Sequence, residues 1–288
     1  MFRPLVEHNP HLSKVYGIEK NTREVIPALA EEKYNGIVDL HHNLRSWEVT
    51  RELEVNSSAF SKLNFEKWLL VNLGLNRLPH LHIVERYLGT VESLGVKNDN
   101  KGLDYFYPEE NDQVINRVPE NYRENYFVLV TGATSFTKQM PSDLLAEIIQ
   151  KSGQHFVLLG GEKDVKKGAE ISALVPGQTT DLCGKVSIHQ SAAIIKHAKK
   201  VLTHDTGLMH IAAAFKKEII SLWGNTVPEF GMYPYQTGHG EKGAGYISQV
   251  KGLGCRPCTK LGFDACPKEH FKCMREQDSK KIVDWLTS

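Results

Sequence analysis

From residue 126 onward, short apolar runs alternate along the chain with longer segments whose apolar residues recur at helical spacing. The apolar runs fall at residues 127–131, 156–160, 180–183, 200–203 and 218–223. The helix-period segments end near residues 151, 171, 198 and 215. Strands that alternate with helices predict a parallel, doubly wound α/β sheet, in which ligands bind at the carboxyl ends of the strands.

The first half of the chain is less regular. A buried strand is predicted over residues 36–41 and a helix over residues 44–53, and helical spacing recurs over residues 60–74 and 83–94. Polar, turn-forming stretches follow, so we place an inter-domain linker at about residues 103–124.

Composition narrows the classes of protein. A chain of 288 residues with 41% hydrophobic and 24% charged residues fits a soluble globular protein of two domains. The net charge of +1 argues against a nucleic-acid partner, because phosphate-tracking surfaces need a clustered cationic excess. No apolar run approaches the ~18–20 residues of a membrane span, so we expect a cytoplasmic protein. The five cysteines are then expected to bind metal or stay as free thiols rather than form disulfides.

The strongest chemical motif is the string from Thr203 to Ala214, which begins Thr-His-Asp-Thr-Gly. A strand leads into Asp205, Thr206 and Gly207, and the apolar spacing that follows predicts a buried helix. Free N–H groups at such a helix start form an anion site, and Gly207 lets a phosphate approach closely. Asp205 and His210 could accept hydrogen bonds from sugar hydroxyls. The alternative is that Asp205 only caps the helix and His210 is a core histidine.

Two further turns carry candidate ligand groups. After the strand that ends near Thr131, small and hydroxylated residues precede Lys138 and Pro141, which suits a loop that wraps an anion. Glu162 follows two glycines at the end of the next strand, where a carboxylate can accept the hydroxyls of a ribose. Taken alone, the loop favours a solvated lysine over an anion contact, and Glu162 could equally be an acid that stabilises a helix start.

Four cysteines form a cluster with the spacing C-x2-C-x7-C-x6-C: Cys255, Cys258, Cys266 and Cys273. Four thiolates could close a structural zinc site, although the second pair is more widely spaced than usual. A redox pair or simple loop architecture are the alternatives that remain open.

Taken together, these motifs resemble glycosyltransferase family 9, which includes the heptosyltransferases. The resemblance rests on Asp-Thr-Gly-Leu-x-His at 205–210, on Thr/Ser residues followed by Lys-x-x-Pro at 134–141, and on two N-terminal segments, at 9–16 and 37–46. It implies the GT-B architecture: two Rossmann-like doubly wound domains, of which the N-terminal one is incomplete here. The expected units are an acceptor-binding part (1–115), a donor nucleotide-sugar domain with the cysteine-rich loop (125–276), and a last helix (277–288) that packs back on the N-terminal domain.

The resemblance also assigns roles to residues. Lys138 and Asp205 are expected to be catalytic, and Arg45 is expected to contact an anionic acceptor. The donor is expected to lie against eight residues: Thr134, Ser135, Lys138, Glu162, Asp205, Thr206, Gly207 and His210.

The implied reaction is transfer of a heptose, or a related sugar, from an ADP-sugar to a lipopolysaccharide core or lipid A-linked acceptor. It proceeds with inversion and needs no catalytic metal, and the enzyme is expected at the cytoplasmic face of the inner membrane. The family's first strands and its proposed general base, an aspartate, have no counterpart before Pro4. The alternatives are therefore an inactive nucleotide-sugar binding module or a thiol-dependent metal-binding module.

Overall fold

The computed structural model describes residues 2–236 and 245–288. In its N-terminal part, two short strands pair in parallel, with Ile37 opposite Ser57. These strands and four helices precede residue 100: α1 (Ile26–Glu31), β1 (Ile37–Asp39), α2 (Leu44–Leu53), β2 (Ser57–Ala59), α3 (Asn64–Leu73) and α4 (Ile83–Leu88).

The N-terminal part has a sparse core. None of the residues of its four helices is fully buried. Large apolar side chains such as Leu44 and Phe65 are 84% and 67% exposed. It is joined to the rest of the chain by His82, whose Nε2 lies 2.7 Å from the Tyr233 carbonyl oxygen, and by Ile83, whose N–H donates to the Gly231 carbonyl.

The second part is a six-stranded parallel sheet with helices on both faces. Its elements are β3 (Phe127–Val130), α5 (Ser142–Ser152), β4 (Phe156–Leu159), α6 (Val165–Leu174), β5 (Thr179–Asp181), α7 (Ile188–His197), β6 (Lys200–His204), α8 (Gly207–Ala214), β7 (Glu218–Trp223), β8 (Tyr246–Gln249), α9 (Lys272–Arg275) and α10 (Ser279–Thr287). Strands β3, β4 and β6 are buried along their whole length. Their continuous apolar character follows from the cover on both faces.

The order of the strands in this sheet is β5-β4-β3-β6-β7-β8, and every pair is parallel. The chain winds outward from β3 in one direction and from β6 in the other. The α/β, doubly wound prediction is confirmed. In such sheets the ligand crevice lies where the winding reverses, outside the carboxyl ends of the two central strands. We therefore expect a ligand site at the turns after β3 and β6.

The stretch expected to be a linker is in fact packed against the sheet domain. Residues Glu109–Arg117 form a 3-10 helix that lies against α7. Val114 and Val118 are 5% and 0% exposed and belong to the core on that face of the sheet. Of the polar residues that suggested a linker, Glu109 and Glu110 are exposed at the start of this helix.

The last helix packs on the sheet domain. α10 lies against α5, and its expected packing on the N-terminal part stays a prediction. Ile282 and Leu286, one turn apart, are buried in the same cluster as Leu145 and Ile149 of α5. The Lys200 ammonium also donates to the Trp285 carbonyl. The apolar face of α10 is thus buried against the sheet domain. Among the described residues, no helix has the length and apolar character needed to cross a bilayer.

Candidate functional site

The structure brings Lys138 and Asp205 together at the reversal point of the sheet. Lys138 ends a 3-10 turn (Phe136–Lys138) after β3, and Asp205 directly follows β6. The Lys138 Nζ lies 2.7 Å from Asp205 Oδ2, and both side chains are 12% exposed. A cation and a carboxylate are therefore held side by side near the N-terminus of α8.

Thr226 also holds this carboxylate, and no sequence motif indicated this contact. Its hydroxyl donates to Asp205 Oδ2 at 3.0 Å, and the residue is 1% exposed in the turn after β7. Arg256 in turn donates from Nη2 to the Thr226 carbonyl at 2.9 Å. Because these partners come from three separate segments, only the folded chain reveals them.

The start of α8 offers unoccupied backbone donors. Thr206 occupies the N-cap position with an extended backbone, and its side chain makes no capping hydrogen bond. A Cβ added to Gly207 would meet no heavy atom within 4 Å, so the first residue of the helix faces open space. Free N–H groups, the positive end of the helix dipole and an absent side chain together suit an anion.

Buried His204 fixes the two central turns relative to each other. Its Nδ1 lies 3.0 Å from the Val130 carbonyl, and its Nε2 accepts the N–H of Met140 at 2.9 Å. This pattern requires the neutral imidazole with the proton on Nδ1. Burial lowers the pKa of His204 well below its usual 6.5, which keeps that form. The loop that carries Lys138 is thereby tied to the end of β6.

The far end of the Lys138 loop rests on Lys167 of α6, which sequence reasoning also missed. The Lys167 ammonium donates to the Gln139 side-chain oxygen at 3.0 Å and to the Met140 carbonyl at 2.8 Å. Burial is the main cause that lowers the pKa of Lys167 to about 8. A lysine on a helix face gives no sequence signal for such a contact.

Glu162, Thr134 and Ser135 lie around the same end of the sheet. Glu162 is exposed and opens a 3-10 turn after β4. A Cβ on Gly184, in the turn after β5, would lie 3.8 Å from its Oε2. Thr134 is exposed, whereas Ser135 packs so closely on Gly262 that a Cβ there would fall 2.4 Å from the serine Cβ.

Asp164 explains why glycines end both β3 and β4. A Cβ on Gly132 would lie 2.1 Å from Asp164 Oδ2, and one on Gly160 would lie 2.6 Å from Asp164 Cβ. The same carboxylate accepts the Gly161 N–H at 2.9 Å. The two glycines therefore leave room for a carboxylate that orders the turn carrying Glu162.

His210 is half-buried on the first turns of α8 and lines a cavity of about 640 Å³ with Thr206 and Gly207. Burial lowers the pKa of His210, and Lys138 adds to this while Asp205 opposes it. The imidazole is thus neutral near pH 7 and can exchange hydrogen bonds with a sugar.

Arg45 lies elsewhere. It is exposed in the first turn of α2 and lines a separate cavity of about 330 Å³, together with Asp39 and His41. Neither Lys138 nor Asp205 lines that cavity. Its role as an acceptor contact stays a prediction.

The cysteine-rich segment is clamped onto the Lys138 loop. The Thr137 N–H donates to the Phe263 carbonyl at 3.1 Å, and the Thr137 hydroxyl accepts the Phe263 N–H at 2.8 Å. Cys258 donates to the Cys255 carbonyl, and the Cys255 sulfur lies 3.8 Å from His270 Nε2.

No three of the four cysteine sulfur atoms lie close enough together to bind one metal ion in the arrangement observed. Within the described residues, three or more ligand atoms lie within 4.8 Å of one another only at Glu7, His8 and His189. Burial and the neighbouring thiols raise the pKa of Cys258 and of Cys273 to about 11. The observed contacts are those of a packed loop, and a zinc ion held by these thiols stays a prediction.

The chain was compared with known proteins. Residues 22–243 match the family model described as glycosyltransferase family 9 (heptosyltransferase). Over 90 residues the chain is 36% identical to lipooligosaccharide heptosyltransferase 2 of Haemophilus influenzae, a match that covers 30% of this chain and 26% of that protein. Over 249 residues it is 25% identical to lipopolysaccharide heptosyltransferase 3 of Escherichia coli, covering 77% of this chain and 71% of that protein.

The fold has a close counterpart among solved structures. The ADP-heptose lipopolysaccharide heptosyltransferase II of Escherichia coli superposes with a TM-score of 0.72 at 18% identity, covering 99% of this chain and 85% of that one. This likeness supports the GT-B architecture. Since the family model matches most of the chain and spans the Lys138 and Asp205 turns, the chain belongs to glycosyltransferase family 9.

Proposed function

We propose that this chain transfers a heptose, or a related sugar, from an ADP-sugar to a lipopolysaccharide core acceptor. The observation that carries the proposal is the Lys138–Asp205 pair at the open amino end of α8, in a member of a heptosyltransferase family. The relatives of known activity are named for the same transfer.

The donor is proposed to lie along the carboxyl ends of the sheet. Its diphosphate would take the first N–H groups of α8 and the Lys138 ammonium, with hydroxyls from Thr134 and Ser135 nearby. Glu162, beyond β4, is placed to accept ribose hydroxyls. Asp205 and His210 would accept or donate hydrogen bonds to the sugar.

The proposed reaction is a single displacement. An acceptor hydroxyl oxygen attacks the anomeric carbon from the face opposite the diphosphate, and the bond from that carbon to the diphosphate oxygen breaks. ADP leaves with the bonding electrons, the hydroxyl proton passes to a base, and the configuration inverts. Lys138 and the α8 amides stabilise the charge that grows on the departing diphosphate, so no catalytic metal is required.

The donor and the acceptor are proposed to bind to different parts of the chain, as the resemblance to the family implies. Residues 125–276 are proposed to bind the donor, and residues 1–115 the acceptor, with Arg45 as one anion contact. Because such an acceptor is anchored in a membrane, we place the chain in the cytoplasm, at the inner face of the inner membrane.

A turnover assay tests the proposal. The chain is incubated with ADP-heptose and a de-O-acylated core oligosaccharide, and both ADP release and the mass of the acceptor are followed. We expect transfer by the native chain and a loss of roughly 100-fold or more in Lys138→Ala. Lys166→Ala, an exposed lysine of α6, is the matched control. ADP binding without transfer would favour the inactive nucleotide-sugar binding module, and absence of ADP binding would refute both.

A further inference from the structure

A third cavity, of about 300 Å³, opens where the N-terminal part meets the sheet domain. Three lysines line it from different segments: Lys62 and Lys67 from the region of α3, and Lys260 from the cysteine-rich loop. Lys138 and Asp205 also line it. The cavity therefore adjoins the donor site but is built mainly by groups that sequence reasoning did not single out.

The positive charge of this cavity has no counter-charge within the described residues. The single carboxylate in its lining is Asp205, and Asp205 is already paired with Lys138. Among described side chains, no carboxylate oxygen lies within 4.0 Å of the ammonium of Lys62, Lys67 or Lys260. Three cations facing one cavity without an acid are an arrangement that an anionic ligand would stabilise.

Electrostatic repulsion from neighbouring cations acts on Lys67. Its pKa is lowered to about 8 by burial first, and then by the nearby charges of Arg86, Lys260 and Lys62. Arg86 lies near Lys67 but does not line the cavity. Its Nη atoms donate to the carbonyls of Ser61 and Phe230, but its buried Nε has no hydrogen-bond partner among the described residues. A buried guanidinium N–H without a partner is rare in native structures.

Lys260 connects the two halves across the cavity. Its ammonium donates to the Asn64 side-chain oxygen at 3.3 Å, and Asn64 is the first residue of α3. The cysteine-rich loop is itself clamped to the Lys138 loop through Thr137 and Phe263. The cysteine-rich loop thus contacts the N-terminal part through Lys260 and the Lys138 loop through Phe263.

The location favours the acceptor over the donor as the source of the anion. None of Thr134, Glu162 and Gly207, the proposed contacts along the donor, lines this cavity. It meets the donor site only at Lys138 and Asp205. Since Lys62 and Lys67 belong to the part of the chain proposed to bind the acceptor, an anionic group held here is assigned to the acceptor.

We propose that Lys67 and Lys260, assisted by Lys62, form a binding subsite for a phosphate group carried by the acceptor saccharide. This inference rests on the proposed function and adds a recognition element to it. The cysteine-rich loop thereby acquires a role in acceptor recognition. The acceptor is selected by a charged group placed next to the hydroxyl that reacts.

Calorimetric titration of the full chain tests the subsite. The probes are a phosphorylated, de-O-acylated core oligosaccharide, the same oligosaccharide after phosphatase treatment, and ADP. We expect Lys67→Gln and Lys260→Gln each to weaken binding of the phosphorylated probe roughly tenfold and to leave ADP binding unchanged. Lys268→Gln, an exposed lysine of the same loop, is the control and should bind like the native chain.

The other outcomes each decide against the subsite. Weaker ADP binding in Lys67→Gln or Lys260→Gln would assign these lysines to the donor diphosphate instead. Equal losses for the phosphorylated and the dephosphorylated probe, or no loss at all, would remove the anion subsite while leaving the donor assignment intact. A native chain that does not bind ADP would instead overturn the proposed function, so the two failures are distinguishable.

Discussion

The ammonium of Lys138 and the carboxylate of Asp205 lie 2.7 Å apart although 67 residues separate them in the chain. Each follows one of the two central strands of a sheet whose winding reverses between those strands. The fold therefore converts two distant turns into one polar site at the amino end of α8. Their side chains are 12% exposed, which limits competition from solvent.

Gly207→Ala separates binding from stability. A Cβ at this position meets no protein atom within 4 Å, and alanine favours a helix over glycine by up to about 1 kcal/mol. We expect an unchanged or higher free energy of unfolding, together with roughly tenfold weaker ADP binding because the methyl group obstructs the phosphate. Chemical denaturation and calorimetry measure the two effects. Gly254→Ala, equally free of contacts, should alter neither, and native ADP affinity in Gly207→Ala would contradict the assignment.

Stability should fall as the pH drops below 6.5. Burial lowers the pKa of His82 to about 4, so the folded chain keeps this imidazole neutral while the unfolded chain takes up a proton. The free energy of unfolding then decreases by up to about 1.4 kcal/mol per pH unit for this group between pH 6.5 and 4. Because burial also lowers the pKa of His204 and of His210, we expect His82→Gln to reduce the slope without abolishing it, and exposed His41→Gln to preserve it. Equal slopes in both variants would show that His82 does not cause the effect.

Lys67→Met should stabilise the fold. The lowered pKa of Lys67 means that the charged amine is disfavoured in the folded chain, so native stability should rise as the pH increases from about 8 to 10.5. Replacing the amine should raise the free energy of unfolding at pH 7 by roughly 0.5–1 kcal/mol, since solvent still reaches the half-buried side chain. Lys268→Met is the comparison. A destabilised Lys67→Met variant would mean that the ammonium has a stabilising partner.

Serine substitutions distinguish packing from metal binding in the cysteine-rich loop. Cys273 is 6% exposed within the core cluster of the α5 face, whereas Cys255 is only partly buried. We expect Cys273→Ser to cost about 1–3 kcal/mol of unfolding free energy, because a hydroxyl enters an apolar site. Cys255→Ser should stay within about 0.5 kcal/mol of the native chain. Equal losses in both variants, with a native chain that a chelator destabilises, would instead establish a metal site.

The alternation of apolar runs and helical segments was enough to predict the sheet domain, because buried parallel strands such as β3 and β7 are continuous apolar runs. Strands β2 and β8 were missed. Their sequences, Ser57-Ser-Ala59 and Tyr246-Ile-Ser-Gln249, are short and largely polar, and they form strands because a neighbouring strand supplies the hydrogen bonds.

Only some residues of the candidate site could be predicted from the sequence. Asp205 and Lys138 could be found because each stands in a motif beside a strand end. Thr226, Lys167 and Lys260 could not, because each reaches the site from a segment far away along the chain. The contact between α10 and α5 could not be predicted, since an apolar stripe shows that a helix is covered but not by which partner.

The central claim is that a donor diphosphate binds between Lys138 and the amino end of α8, and a calorimetric titration with ADP tests it most directly. Lys138→Ala removes the cation, while Lys166→Ala removes an exposed lysine of the same domain. We predict that the native chain and Lys166→Ala bind ADP equally and that Lys138→Ala binds at least roughly tenfold more weakly. Identical ADP affinities in Lys138→Ala and Lys166→Ala, or no binding by the native chain, would contradict the account.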